Sequence, residues 1–184
     1  MHGIRLGAAV VALSVCAGAW AAGAADIWLD VPFVKQQRDG CGAAAIAMVM
    51  QYWLRHEGQP ARASADAARI LSVLGSPAAH GIYAADMLRY FQHNGFRAFA
   101  FAGKWDDLDT QLKKGRPLIA ALQPQGSGTL HYVVVAGVDD GQQLVLVNDP
   151  AQRKLLKEDR SRFEREWRAA GDWTLLAVPA PGWR

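Results

Sequence analysis

The chain has 184 residues, 51% of them hydrophobic and 20% charged, which suits about one packed domain and excludes a disordered chain. Its 20 Lys and Arg stand against 17 Asp and Glu, scattered along the chain rather than gathered into a stripe, and this argues against a nucleic-acid-binding face. The densest basic stretch, RKLLKEDRSRFEREWR, is diluted by acids and reads as a solvated helix face.

In chain order, MHGIRLGAAVVALSVCAGAWAAGAA comes first: one Arg, an apolar stretch, then small residues at the spacing signal peptidase reads. Residues 1–25 are therefore expected to be a removed export signal and 26–184 one domain, periplasmic or extracellular. Cleavage after Ala24 and after Ala25 fit equally well. Cys16 as a lipid-attachment site would have Val15 before it, where Gly or Ala is usual. A retained anchor would be a little short for a span of about 20 residues. Once such a leader is gone, Cys41 is the one cysteine left, and no internal disulfide can form.

Cys41 sits in FVKQQRDGCGAAAIAMVMQYW, ahead of a strong helix pattern over 43–58 that stops at Gly58. A thiol at a helix start meets unpaired N–H groups and the positive end of the dipole, which favour thiolate. A buried structural cysteine is the alternative.

Further helices are expected at 64–75, opened by Ser64, at 83–95 and at 105–115, with a strand FRAFAFAG between the last two. RPLIAALQP reads as a buried strand. HYVVVAGVDDGQQLVLVNDP reads as two strands turning at Asp139-Asp140-Gly141, so that His131 faces Asp149 or its neighbour. A helix at 161–171 and an edge strand at 172–179 complete an α/β (α+β) fold, a helical part holding Cys41 packed on an antiparallel sheet.

Four histidines follow the leader: His56, His80, His93 and His131. His56 ends the helix that Cys41 begins, roughly 22 Å away at 1.5 Å per residue. His93 lies near a helix C-terminus, where histidines commonly sit. His80, in a loop, stays open. His131 differs in having a carboxylate placed to hold its ring, although an Asp149 that only caps the NDP turn would look the same.

The order Cys, His, Asp, with VPFVKQ before CGAAAIAM and HYVVVAGV followed by NDP, resembles the bacteriocin-processing, double-glycine-leader peptidases, which are papain-like cysteine peptidases. The resemblance covers nearly all of the expected mature chain. It implies that Cys41 is the nucleophile, His131 the general base and acid, and Asp149 the residue that orients His131. It also implies an upstream glutamine as oxyanion donor, Gln36 first and Gln37 as the alternative. The best-known members sit at the N-terminus of a transporter, whereas this sequence has no phosphate-cradling Gly-Lys-Ser/Thr loop and an export signal is expected at its start.

The expected activity is therefore an exported cysteine peptidase acting through a thioester on a leader, envelope or secreted peptide, with an export system as a candidate partner. A transglutaminase-like acyl transferase, a cell-wall peptide amidase and a non-catalytic peptide-binding module are the alternatives. No Cys/His cluster has metal-ligand spacing, so neither metal nor cofactor is expected.

Overall fold

The computed structural model describes residues 27–183. The expected export signal, its cleavage sites and Cys16 lie outside the described residues. In chain order the elements are β1 (Ile27–Trp28), α1 (Cys41–His56), α2 (Ala67–Leu74), α3 (Ala84–His93), β2 (Phe96–Ala102), α4 (Trp105–Lys113), β3 (Leu118–Leu122), β4 (His131–Asp139), β5 (Leu144–Asn148), β6 (Leu156–Asp159), α5 (Arg160–Ala169) and β7 (Trp173–Pro179). Short 3₁₀ turns occupy Ala63–Ala65 and Pro77–Ala79.

The strands form one antiparallel sheet in the order β2-β7-β3-β4-β5-β6, with β1 beside β4. Both faces of its centre are covered. On one side Ile46, Met50 and Phe91 from α1 and α3 meet Tyr132, Val134 and Ala136 of β4. On the other, Leu108, Leu112, Phe163 and Trp167 from α4 and α5 meet Val133, Val135 and Val147. The two-residue alternation of a strand thus sends successive β4 side chains into two cores, and the run YVVVAGV needs no polar face. From Gly42 to Met50 every residue of α1 is buried. Each large side chain there, such as Ile46 or Met48, contributes about 1.5–3 kcal/mol through burial.

Several expectations are corrected. The helix foreseen at 64–75 is split, because Asp66 takes an extended conformation and its side chain accepts the Arg69 N–H at 2.8 Å, capping α2 in place of Ser64. β7 is central rather than an edge: TLLA is buried throughout, while the exposed alternation of FRAFAFA puts β2 at the edge. The basic stretch is not one solvated helix face, since β6 precedes α5 and Phe163, Glu166 and Trp167 are buried.

The β4–β5 hairpin also departs from its expected register. Its loop is Asp140–Gln143, held by the Asp139 carboxylate accepting the Gln142 N–H at 2.8 Å and by Gln143 in the left-handed region (φ 56°). Asp139 therefore pairs with Leu144, and a bulge at Ala136 leaves Val134 opposite Asn148. Just past that bulge Gly137 is obligatory, because an added Cβ would lie 2.4 Å from the Ile27 carbonyl of β1.

Candidate active site

From β1 the chain runs to Cys41 without regular structure. Its N–H at Gln36 donates to the Pro150 carbonyl at 2.9 Å, and a turn closed by Gly40 N–H to the Gln37 carbonyl, 3.0 Å, delivers Cys41 as the first residue of α1. Asp39 holds that turn in the left-handed region (φ 55°). A Cβ on Gly42 would touch Ile82 and the Tyr132 ring at 3.4 Å, so the helix start lies flush against β4 and its thiol beside His131.

His131 opens β4, and its Nε2 lies 2.8 Å from Asp149 Oδ1. Nε2 being engaged, the ring turns Nδ1 toward Cys41, with which His131 is also hydrogen-bonded. The pairing was expected across the ladder, but continuing the observed register sets Asp149 opposite Val133. His131 and Asp149 are thus diagonal neighbours, a separation that an imidazole spans. Asp149 is 3% exposed. Its carboxylate also accepts the Ala151 N–H at 2.8 Å and the Gln152 side-chain amide at 2.6 Å, so it holds the ring and its own turn together.

The electrostatics follow from this packing. Burial pushes the Cys41 thiol up, but hydrogen bonds from His131 and the Tyr132 and Gly42 N–H groups outweigh it and leave the pKa below its ordinary value. The helix start thus contributes through one N–H, and the imidazole contributes more. Burial pulls His131 down, yet Asp149 and Cys41 raise it to about 9. Burial raises Asp149, and hydrogen bonding to His131 leads the effects that bring it below the usual carboxylate value. All three shifts run toward thiolate, imidazolium and carboxylate in a row.

A cavity of about 430 Å³ opens over this row, lined by Gln36, Asp39, Cys41, His80, Leu130 and His131 among others. Gln36 faces it, and its Oε1 is buried without a hydrogen-bond partner. Gln37 is exposed and does not line the cavity. Of the other histidines, His80 stands exposed in the cavity wall, while His56 stacks on Tyr52 at the far end of α1 and His93 ends α3.

Sequence reasoning missed Gln152, Asn148 and Glu158. Gln152 lies three residues after Asp149, the spacing of a side-chain-closed turn; Asn148 stood in NDP and was absorbed into that turn; Glu158 sits on the unforeseen β6. Among the described residues no group of three or more His, Cys, Asp or Glu could hold a metal ion. No described helix is long and apolar enough to cross a membrane.

A helix that begins at a cysteine, packed on an antiparallel sheet that supplies a histidine and an aspartate, is the architecture of the papain-like peptidases. The chain belongs to the Peptidase C39 like family, whose match spans residues 28–174. A Bacillus anthracis protein described as a putative C39-like peptidase has a similar structure, with a TM-score of 0.66 at 20% identity, over 84% of this chain and 98% of that one. A double glycine motif protease from an AMS/PCAT transporter, in complex with its leader peptide, gives 0.62 at 21%, over 84% and 98%. The peptidase domain of Streptococcus ComA, a bifunctional ABC transporter involved in quorum sensing, gives 0.61 at 21%, over 79% and 96%. Comparison with curated protein sequences finds no match.

Proposed function

We propose that this chain is a cysteine peptidase that acts, after export, on a peptide or protein substrate outside the cytoplasm. The observation that carries the proposal is the row formed by the Cys41 thiol, the His131 ring and the Asp149 carboxylate, with Nε2 on Asp149 at 2.8 Å and Nδ1 left for the thiol. The Cys41 thiolate attacks the scissile carbonyl, and the resulting oxyanion accepts hydrogen bonds from the Cys41 N–H and the Gln36 amide. His131 passes its Nδ1 proton to the leaving amine as the C–N bond breaks, which leaves a thioester on Cys41. Water then attacks the thioester, His131 takes its proton, and the acid departs as the C–S bond breaks and the thiolate–imidazolium pair is restored. Asp149 keeps the ring in place and stabilises imidazolium throughout.

Export rests on the N-terminal sequence pattern, and a peptide substrate is supported by the leader peptide bound in one structural neighbour. An exported enzyme would not meet a leader cut on the cytoplasmic side, so an envelope or secreted peptide fits better. The test incubates purified enzyme and its Cys41→Ala variant with envelope proteins and identifies new N-termini by mass spectrometry. Cut sites that depend on Cys41 are expected. Identical N-terminal profiles from both proteins would refute the peptidase reading.

A further inference from the structure

Asn148 is wholly buried at the end of β5, immediately before Asp149, and all of its polar atoms are engaged. Its Nδ2 donates to the carbonyls of Val31, at 3.1 Å, and Pro32, at 3.4 Å, while its Oδ1 accepts the Leu155 N–H at 2.9 Å. A buried amide with both N–H donors and its oxygen engaged costs much desolvation when a bond is lost, so this one holds its neighbours to a narrow geometry. Those neighbours belong to two separate stretches. Leu155 closes the turn that carries Asp149, and Val31 and Pro32 lie in the irregular segment that carries Gln36.

Val31 is buried in the core and Phe33 and Val34 pack against it, but few hydrogen bonds fix that segment. It joins no strand ladder, and beyond Val31, whose N–H donates to the Leu29 carbonyl at 2.8 Å, its one main-chain hydrogen bond before the turn at Gln37 is Gln36 N–H to the Pro150 carbonyl. Pro150 in turn follows Asp149. Both tethers of the Gln36 segment therefore end on residues flanking Asp149, one on each side. A third contact, the ion pair of Lys154 with Asp30, joins the same two stretches at the surface, where such pairs contribute little.

We infer that Asn148 is a positioning residue for Gln36: by tying the 31–36 segment to the Asp149 turn, it sets the oxyanion donor at a fixed distance from the thiol and the imidazole. The inference rests on the peptidase reading for its kinetic test and on the fold alone for its structural one. A misplacement of about 1 Å can cost about 10²-fold in rate, so loosening the tether should appear in the chemical step.

The test uses Asn148→Leu, which keeps volume and removes all three hydrogen bonds, and Asn148→Ser, which is smaller and still polar. Each is made in the wild-type and in the Gln36→Ala background. A positioning role predicts that single-turnover acylation falls about tenfold or more in the wild type, yet changes less than about twofold when Gln36 is already absent, because groups acting as a unit lose their effect together. Equal losses in both backgrounds would assign Asn148 to stability alone and overturn the inference. So would a loss on Lys154→Ala as large as on Asn148→Ser, which would move the tether to the surface ion pair. Amide exchange on the wild type tests whether the segment is held even if neither variant folds or no substrate is cut. The Gln36 N–H should be protected as well as that of Leu155. Exchange at the rate of a free loop would show that the segment is not held.

Discussion

Replacing Asp149 by Ala removes the acceptor of three hydrogen bonds at once, from His131, Ala151 and Gln152. The main consequence falls on the imidazole. His131 is raised from 6.5 to about 9 against the opposing effect of burial, with Asp149 the foremost upward cause and Cys41 next. At about 1.4 kcal/mol per pH unit, that preference for imidazolium is on the order of 3 kcal/mol. Asp149 is the foremost support of the thiolate–imidazolium pair, and weakening that pair by on the order of 1.4–2.8 kcal/mol should slow acylation about 10- to 100-fold at neutral pH in Asp149→Ala. The alkaline limb of the rate profile, set by loss of the imidazolium proton, should move down from about 9. Asp149→Asn should lose less, about tenfold or under, since its amide oxygen still accepts from His131 and Ala151 and the exposed Gln152 can turn its own oxygen toward the new NH₂. The assay is single-turnover acylation across pH, with thermal unfolding on the same samples. A lowered melting temperature with unchanged acylation and an unmoved alkaline limb would mean that Asp149 only caps its turn.

The alkylation rate of Cys41 should follow a pKa below the free-thiol value of about 8.5, and His131→Ala should move it upward; a wild-type profile that rises only near 8.5 would restore a plain buried thiol. Gln36→Ala should lower the acylation rate about 10²–10³-fold with little change in melting temperature, whereas Gln37→Ala should stay within a few-fold; the reverse ranking would transfer the oxyanion role to Gln37. Because the folded pKa of Asp149 is lowered from 3.8, its contribution to stability is present above that value and is lost as pH falls through the folded pKa. Acid unfolding curves of Asp149→Asn should therefore be shallower below about pH 4 than those of the wild type, and parallel curves would show that the carboxylate is not held in the folded state.

Much of this site is visible in the sequence because its parts lie where secondary structure changes. Cys41 stands where the helical pattern begins, His131 where an apolar strand begins, and Asp149 where the next strand ends. Such boundaries are set by local chemistry, glycines before the helix and a proline after the strand. The hairpin register was less accessible. An Asp139 side chain that closes a four-residue loop and a bulge at Ala136 are decided by the fit of β4 against β1, where only Gly137 admits the Ile27 carbonyl. Central and edge strands were misplaced for a related reason. LLAVP is apolar without a break and TLLA proves buried on both sides, whereas FRAFAFA is exposed at alternate positions, the difference that separates a two-sided strand from a half-covered one. Asn148 and Gln152 were beyond the reach of pattern. Their partners are main-chain carbonyls over a hundred residues away for the one and a turn-internal carboxylate for the other.

Glu158 adds a constraint on how this charge row can work. Its Oε2 is buried without a hydrogen-bond partner. Burial raises its pKa, Arg162 opposes, the nearby charges of Glu166 and Asp149 raise it further and that of His131 lowers it, leaving it above the ordinary glutamate value. An ionised Glu158 would set a second negative charge behind Asp149, hold the His131 proton more tightly and make it a poorer acid toward the leaving amine, since an acid works best with a pKa near the operating pH. Protonating Glu158 would leave one carboxylate to balance one imidazolium, with the thiolate as the remaining charge. That charge is the one consumed on attack, when it passes to the oxygen facing Gln36. The burial that raises the Glu158 pKa and the tether that fixes Gln36 both come from the β5–β6 side of the site, so the same part of the fold bears on the proton affinity of the base and on the placement of the oxyanion donor.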